Sequence, residues 1–124
     1  MINPLDYLVF ARELLDEGKD SEIKIRTAIS RAYYGVYLYA ASKYVHFKGD
    51  SVFEEIVKNH SRFIKTLKTE NDNLLNKIGN QIFDLKKDRE KADYEIKKDI
   101  TKSLAEKAYS QAQRIKDNID SKFN

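Results

Sequence analysis

The sequence predicts an all-α domain, an up-and-down antiparallel bundle of four to five helices. Three observations predict it. Breakers are scarce: one proline, Pro4, and four glycines in 124 residues, where an all-β chain needs turn residues at short intervals. Apolar residues recur at three- and four-residue spacing along nearly the whole chain. Charged residues make up 35% of it beside 11% aromatics, which suits thin helices with solvated faces around an aromatic core and not a disordered chain.

The first helix is expected to start at Asn3-Pro4, because Asn caps well and Pro fits the first helical position. Leu5, Leu8, Val9, Leu14 and Leu15 form its expected buried stripe, and Gly18 its end. A long second helix is expected from Ser21 to about His46. Ile25, Ile29, Ala32, Tyr33, Val36, Tyr37, Ala40 and Tyr44 share one face of it, with small residues between the tyrosines that let a neighbouring helix come close. Lys48-Gly49-Asp50 reads as a turn. The third helix is expected from Ser51 to Thr69, with Phe53, Ile56, Val57, His60, Ile64 and Leu67 on one face. Asn71-Asp72-Asn73 is a loop and cap signal. The fourth stripe runs Leu75, Ile78, Ile82, Leu85, then Arg89, Ala92 and Ile96. The last helix is expected from Lys98 to Ser121 along Ile100, Leu104, Ala108, Ala112, Ile115 and Ile119. No repeat, low-complexity tract or linker interrupts these elements, so residues 1–124 read as one domain.

Cysteine is absent, which excludes a disulfide framework, a thiolate metal site and a cysteine nucleophile. Asp6, Arg12, Glu13, Asp16 and Glu17 leave no apolar run in residues 1–20 for a signal peptide. Nothing approaches the roughly 18 apolar residues of a membrane span. The expectation is a cytoplasmic protein with no membrane partner. Net charge is +3, and all of the excess lies in 51–124. That reads as a solvated helical surface or as a patch for nucleic acid.

Three features carry candidate chemistry. Arg89 falls on the apolar stripe, with Asp93 one turn later and Tyr94 beside it. A buried guanidinium needs a partner, so Arg89–Asp93 is either a packing ion pair or an arginine held ready for phosphate. The run Ala28-Ile29-Ser30-Arg31-Ala32-Tyr33-Tyr34-Gly35-Val36-Tyr37 sets Tyr33 and Tyr37 toward the core, with hydroxyls seeking polar partners. Arg31 and Tyr34 lie on the flanks, where they pack or stack on bases. His60 is an imidazole on an apolar face, either a satisfied core histidine or a catalytic one. His46 sits at a helix end, suited to the last carbonyls. Two histidines far apart, without clustered carboxylates, offer no metal site, and no motif calls for a cofactor.

Two of these runs together resemble the HEPN family: the A-x-S-R-A-Y-Y-x-x-Y pattern of Ala28 to Tyr37, and the R-x-x-A-D-Y pattern of Arg89 to Tyr94. The resemblance spans nearly the whole chain. It implies a helical bundle, commonly a homodimer. It implies metal-independent RNase activity, or binding of RNA or nucleotides without cutting, in toxin–antitoxin, phage-defence or stress systems. Some such proteins act beside a nucleotidyltransferase-fold partner. Catalytic members carry an arginine followed after four to six residues by a histidine; arginine stabilises phosphate charge while histidine handles a proton. Arg89 matches that arginine, but no histidine follows it. Three readings follow. The first is a binding module at Arg89, Asp93, Tyr94, Arg31 and Tyr34, with Lys58, Arg62, Lys65, Lys86, Lys87 and Lys91 near phosphates. The second is a divergent RNase using Arg89 with His60 or Tyr94 as catalytic residues, although Tyr94 is a weak base at neutral pH. The third is a non-catalytic protein-interaction bundle.

Overall fold

The computed structural model describes residues 2–18, 21–48 and 53–124. The expected turn at Gly49-Asp50 and the helix start at Ser51 lie outside these residues, as does the Phe53 side chain. All secondary structure among the described residues is helical: α1 Asp6–Gly18, α2 Glu22–Lys48, α3 Phe53–Lys58, α4 His60–Thr69, α5 Asn73–Tyr94 and α6 Lys102–Phe123. The fold class is the expected one, with six helical segments in place of four to five.

Local chemistry sets the ends. The Asn3 side chain accepts from Leu5 N at 3.0 Å and its carbonyl from Asp6 N at 2.9 Å, so the chain turns into α1 at Asn3-Pro4. The Ser21 carbonyl accepts from Ile25 N at the start of α2. Asp72 and Thr101 cap α5 and α6 by accepting from Leu75 N and Leu104 N.

α2 is the hub, packed against α1, α5 and α6. Its buried residues include Arg26, Ser30, Tyr39 and Ala41 besides the expected stripe, so it is covered on more than one face. Pairings across the bundle give its directions. Gly35 meets Tyr7 and Pro4 of the α1 segment, and the start of α2 meets the end of α5 through Ser30 and Asp93. α2 therefore runs antiparallel to α1 and α5. It runs parallel to α6, with Glu22 bonded to Ile100 N and Lys43 to Asn124. α4 lies antiparallel along α5, where a Cβ on Gly79 would sit 2.9 Å from Leu67 Cβ. Only glycine allows that approach.

Four expectations need correction. The third helix is two helices, because Asn59 leaves helical geometry and its side chain accepts from Arg62 N to cap α4. The last helix begins at Lys102 and not at Lys98, because the Thr101 cap starts it. Ile96 leaves the fourth stripe and is 81% exposed, since α5 ends at Tyr94. Val9 and Leu104 are exposed, and Ala11 and Ala105 take the buried positions. Phe63 adds a buried ring that the third stripe omitted. His46 is exposed in the last turn of α2.

Candidate functional site

The two motif runs meet where the first half of α2 packs against the end of α5, and the first turn of α4 closes over them. The cap at Asn59 makes His60 the first residue of α4. His60 Nδ1 lies 2.7 Å from the Tyr33 hydroxyl, and its ring stacks on Tyr37 with centroids 3.8 Å apart. The Tyr37 hydroxyl donates to the Ile56 carbonyl at 2.8 Å. These tyrosines are core residues with polar partners, as their register requires. Burial pushes the Tyr37 hydroxyl up from its ordinary pKa; it raises Tyr33 too, with nearby Tyr37 adding and Arg89 opposing. His60 is pushed down to about 4 by burial and then by the charges of Arg89 and Lys86. Its imidazole is neutral at pH 7.

Arg89 enters from α5 and is only 8% exposed. Its guanidinium carbon lies 5.2 Å from the Tyr33 ring centroid, 5.6 Å from Tyr34 and 5.9 Å from Tyr94. The Tyr33 hydroxyl lies within its reach, and its contacts with Asp93 and Tyr94 are long. Nη1 is 3.6 Å from the Asp93 carboxylate and donates to the Tyr94 hydroxyl at 3.4 Å, while the buried Nε has no partner. At 3.6 Å the Asp93 contact is Coulombic and not a hydrogen bond. Asp93 also accepts from the Ser30 hydroxyl at 3.3 Å, and Ser30 accepts from Arg31 at 3.3 Å. The Arg31 guanidinium carbon is 4.9 Å from the Tyr34 ring, and its Nε too is buried without a partner.

The structure thus places Arg89, Asp93, Tyr94, Arg31, Tyr34 and His60 in one cluster. Of the lysines and arginines expected around it, Lys86 is tied in, donating to Ser61 beside His60 at 2.8 Å. Arg62 faces a separate groove of about 180 Å³ with Tyr44 and Phe63. Lys87 and Lys91 line another of about 380 Å³ between α5 and α6. Lys58 and Lys65 are exposed.

Sequence reasoning missed Arg26. This arginine, 9% exposed, donates to the carbonyls of Ala92 at 2.9 Å, Glu95 at 3.1 Å, Lys91 at 3.4 Å and Lys98. It closes the end of α5 and so positions Arg89, Asp93 and Tyr94. The signal was present: Arg26, Ser30, Tyr33 and Tyr37 share one helical face, which places a cation on an apolar register.

A model of the HEPN domain matches residues 5–121. The chain belongs to the HEPN family. No curated protein and no solved structure matches it. In this HEPN chain the histidine near Arg89 comes from α4 and not from the residues that follow the arginine. No group of three or more metal-ligating side chains occurs among the described residues. No described helix is long and apolar enough to cross a membrane.

Proposed function

We propose that this HEPN chain binds a phosphate-bearing ligand, RNA or a nucleotide, on the face formed by Arg89, Asp93, Tyr94, Arg31 and Tyr34, and does not cut it by the family's arginine–histidine motif. Arg89 carries the reading: a buried cation with one orphaned N–H and a carboxylate no nearer than 3.6 Å is under-partnered, and a phosphate supplies the short, charge-assisted bonds that Asp93 does not. Tyr94, 69% exposed, is a stacking surface for a base beside it. The test is titration of a single-stranded RNA against wild type and Arg89→Ala at several salt concentrations. Affinity is expected to fall steeply with salt and to drop in Arg89→Ala. A flat salt response argues against the site.

The resemblance supports a place in a defence, toxin–antitoxin or stress system, as a cytoplasmic homodimer beside a nucleotidyltransferase-fold partner. Light scattering reads the dimer, and pull-down with a neighbouring gene product reads the partner.

One observation favours a second reading, a divergent metal-independent RNase. His60 is neutral at pH 7 and shares Tyr33 with Arg89, so an imidazole able to accept a 2′-hydroxyl proton lies beside a guanidinium able to meet the charge on phosphate. Total RNA incubated with the protein in a chelator decides it. Cleavage by wild type, lost in Arg89→Ala and His60→Ala, establishes the RNase; intact RNA retains the binding module. If Arg89→Ala alters stability but neither binding nor cleavage, the chain is a protein-interaction bundle.

A further inference from the structure

Three elements build a ladder in which rings and guanidinium groups alternate. The Arg31 guanidinium carbon is 5.7 Å from the Tyr7 ring of α1 and 4.9 Å from Tyr34 of α2. Arg89 of α5 follows at 5.6 Å from Tyr34 and 5.2 Å from Tyr33. Tyr34 therefore has an arginine at each of two contacts. Stacking fixes the plane of a guanidinium while leaving its N–H edges for a planar, two-pronged acceptor. Both arginines show the same deficit: each Nε is buried and unpartnered. Asp93 reaches Arg89 at 3.6 Å and accepts from the Ser30 hydroxyl at 3.3 Å, while Arg31 donates to that hydroxyl and forms no ion pair among the described residues. Positive charge is therefore left over beside Tyr34.

We infer that Arg31 and Arg89 form two phosphate subsites flanking Tyr34, and that the ligand presents two neighbouring phosphate groups, as an RNA strand does across one nucleotide step. The inference rests on the reading that Arg89 meets phosphate, and it adds the class of ligand and the residue that selects it. The edges of Arg26 are met by four carbonyls, whereas those of Arg31 and Arg89 are met by protein only in part.

The test is an NMR titration of the full chain with three probes: UpU, with one phosphate; pUpU, with two phosphates on a strand; and UDP, with two in a diphosphate. Wild type is expected to bind pUpU at least roughly tenfold more tightly than UpU. Arg31→Gln should remove that advantage, weakening pUpU far more than UpU, while reducing the salt slope for pUpU by about 0.7 for the lost phosphate. Arg89→Gln should weaken both dinucleotides. UDP weaker than pUpU assigns the paired subsites to a strand; UDP equal to it assigns them to a diphosphate. If circular dichroism shows Arg31→Gln unfolded, Arg31→Lys replaces it, because it keeps charge and loses the planar fork; a reduced pUpU advantage is then expected. Equal binding of UpU and pUpU by wild type, or an advantage that survives loss of Arg31, overturns the two-subsite inference alone. No binding of any probe, or UpU binding indifferent to Arg89→Gln, overturns the Arg89 reading and this inference together.

Discussion

Arg26 and Arg89 are buried almost equally, at 9% and 8% exposure, on the two helices that frame the candidate site, yet their surroundings differ. Arg26 has four backbone carbonyls within bonding reach and lies 3.8 Å from Glu22. It serves as the C-terminal cap of α5, where free carbonyls and the helix dipole both favour a cation. Arg89 has rings against its faces, a carboxylate at 3.6 Å and an orphaned Nε. Burial alone therefore does not separate a fully partnered charge from an under-partnered one.

The comparison can be broken by substitution. Arg26→Met is expected to have the largest effect, a loss of about 3–4 kcal/mol in urea denaturation, because it strands several carbonyls at the end of α5. Arg89→Met should stay within about 1 kcal/mol of wild type, since an apolar side chain of similar size replaces an under-partnered charge. It should also lose RNA binding. Equal destabilisation by the two would erase the distinction.

Gly79→Ala supplies a purely steric reference on the same helix. Its Cβ would meet Leu67 Cβ at 2.9 Å and the Lys68 backbone nitrogen at 3.0 Å. The expected cost is about 1–3 kcal/mol in denaturation, despite the better helix propensity of alanine.

His60 sharpens the comparison through pH. Its folded pKa is about 4 against an ordinary 6.5, so the unfolded chain binds more protons between those values. Stability should therefore rise from pH 4 to 6.5 and level off above. The gain is on the order of 1–2 kcal/mol once solvent screening is allowed for. Thermal unfolding across that window should flatten in His60→Gln. The smallest effect is expected for Tyr94→Phe, which removes only a 3.4 Å contact at an exposed ring and should fall within about 0.5 kcal/mol in the same denaturation.

Much of this was legible in the chain. Asn3-Pro4, Asp72 and Gly18 mark ends of helices, because capping is local chemistry. Arg89 stood out as a charge on an apolar register, and Tyr33 and Tyr37 as core rings in need of hydroxyl partners. The break at Asn59 was not legible: an unbroken apolar stripe crosses it, and periodicity does not register one residue leaving helical geometry. Val9 and Leu104 fit their stripes equally well but are left exposed.

The sequence by itself determined the helical class, most helix ends and the two motif runs, all of which depend on residues within a turn or two of one another. Only the tertiary structure decided that Arg26 closes the end of α5 and that His60 meets Tyr33. It also decided that Arg31 and Arg89 converge on the Tyr34 ring. Those relations join residues up to 72 positions apart. They depend on the angles and depths at which α2, α4 and α5 pack, which spacing along the chain does not encode.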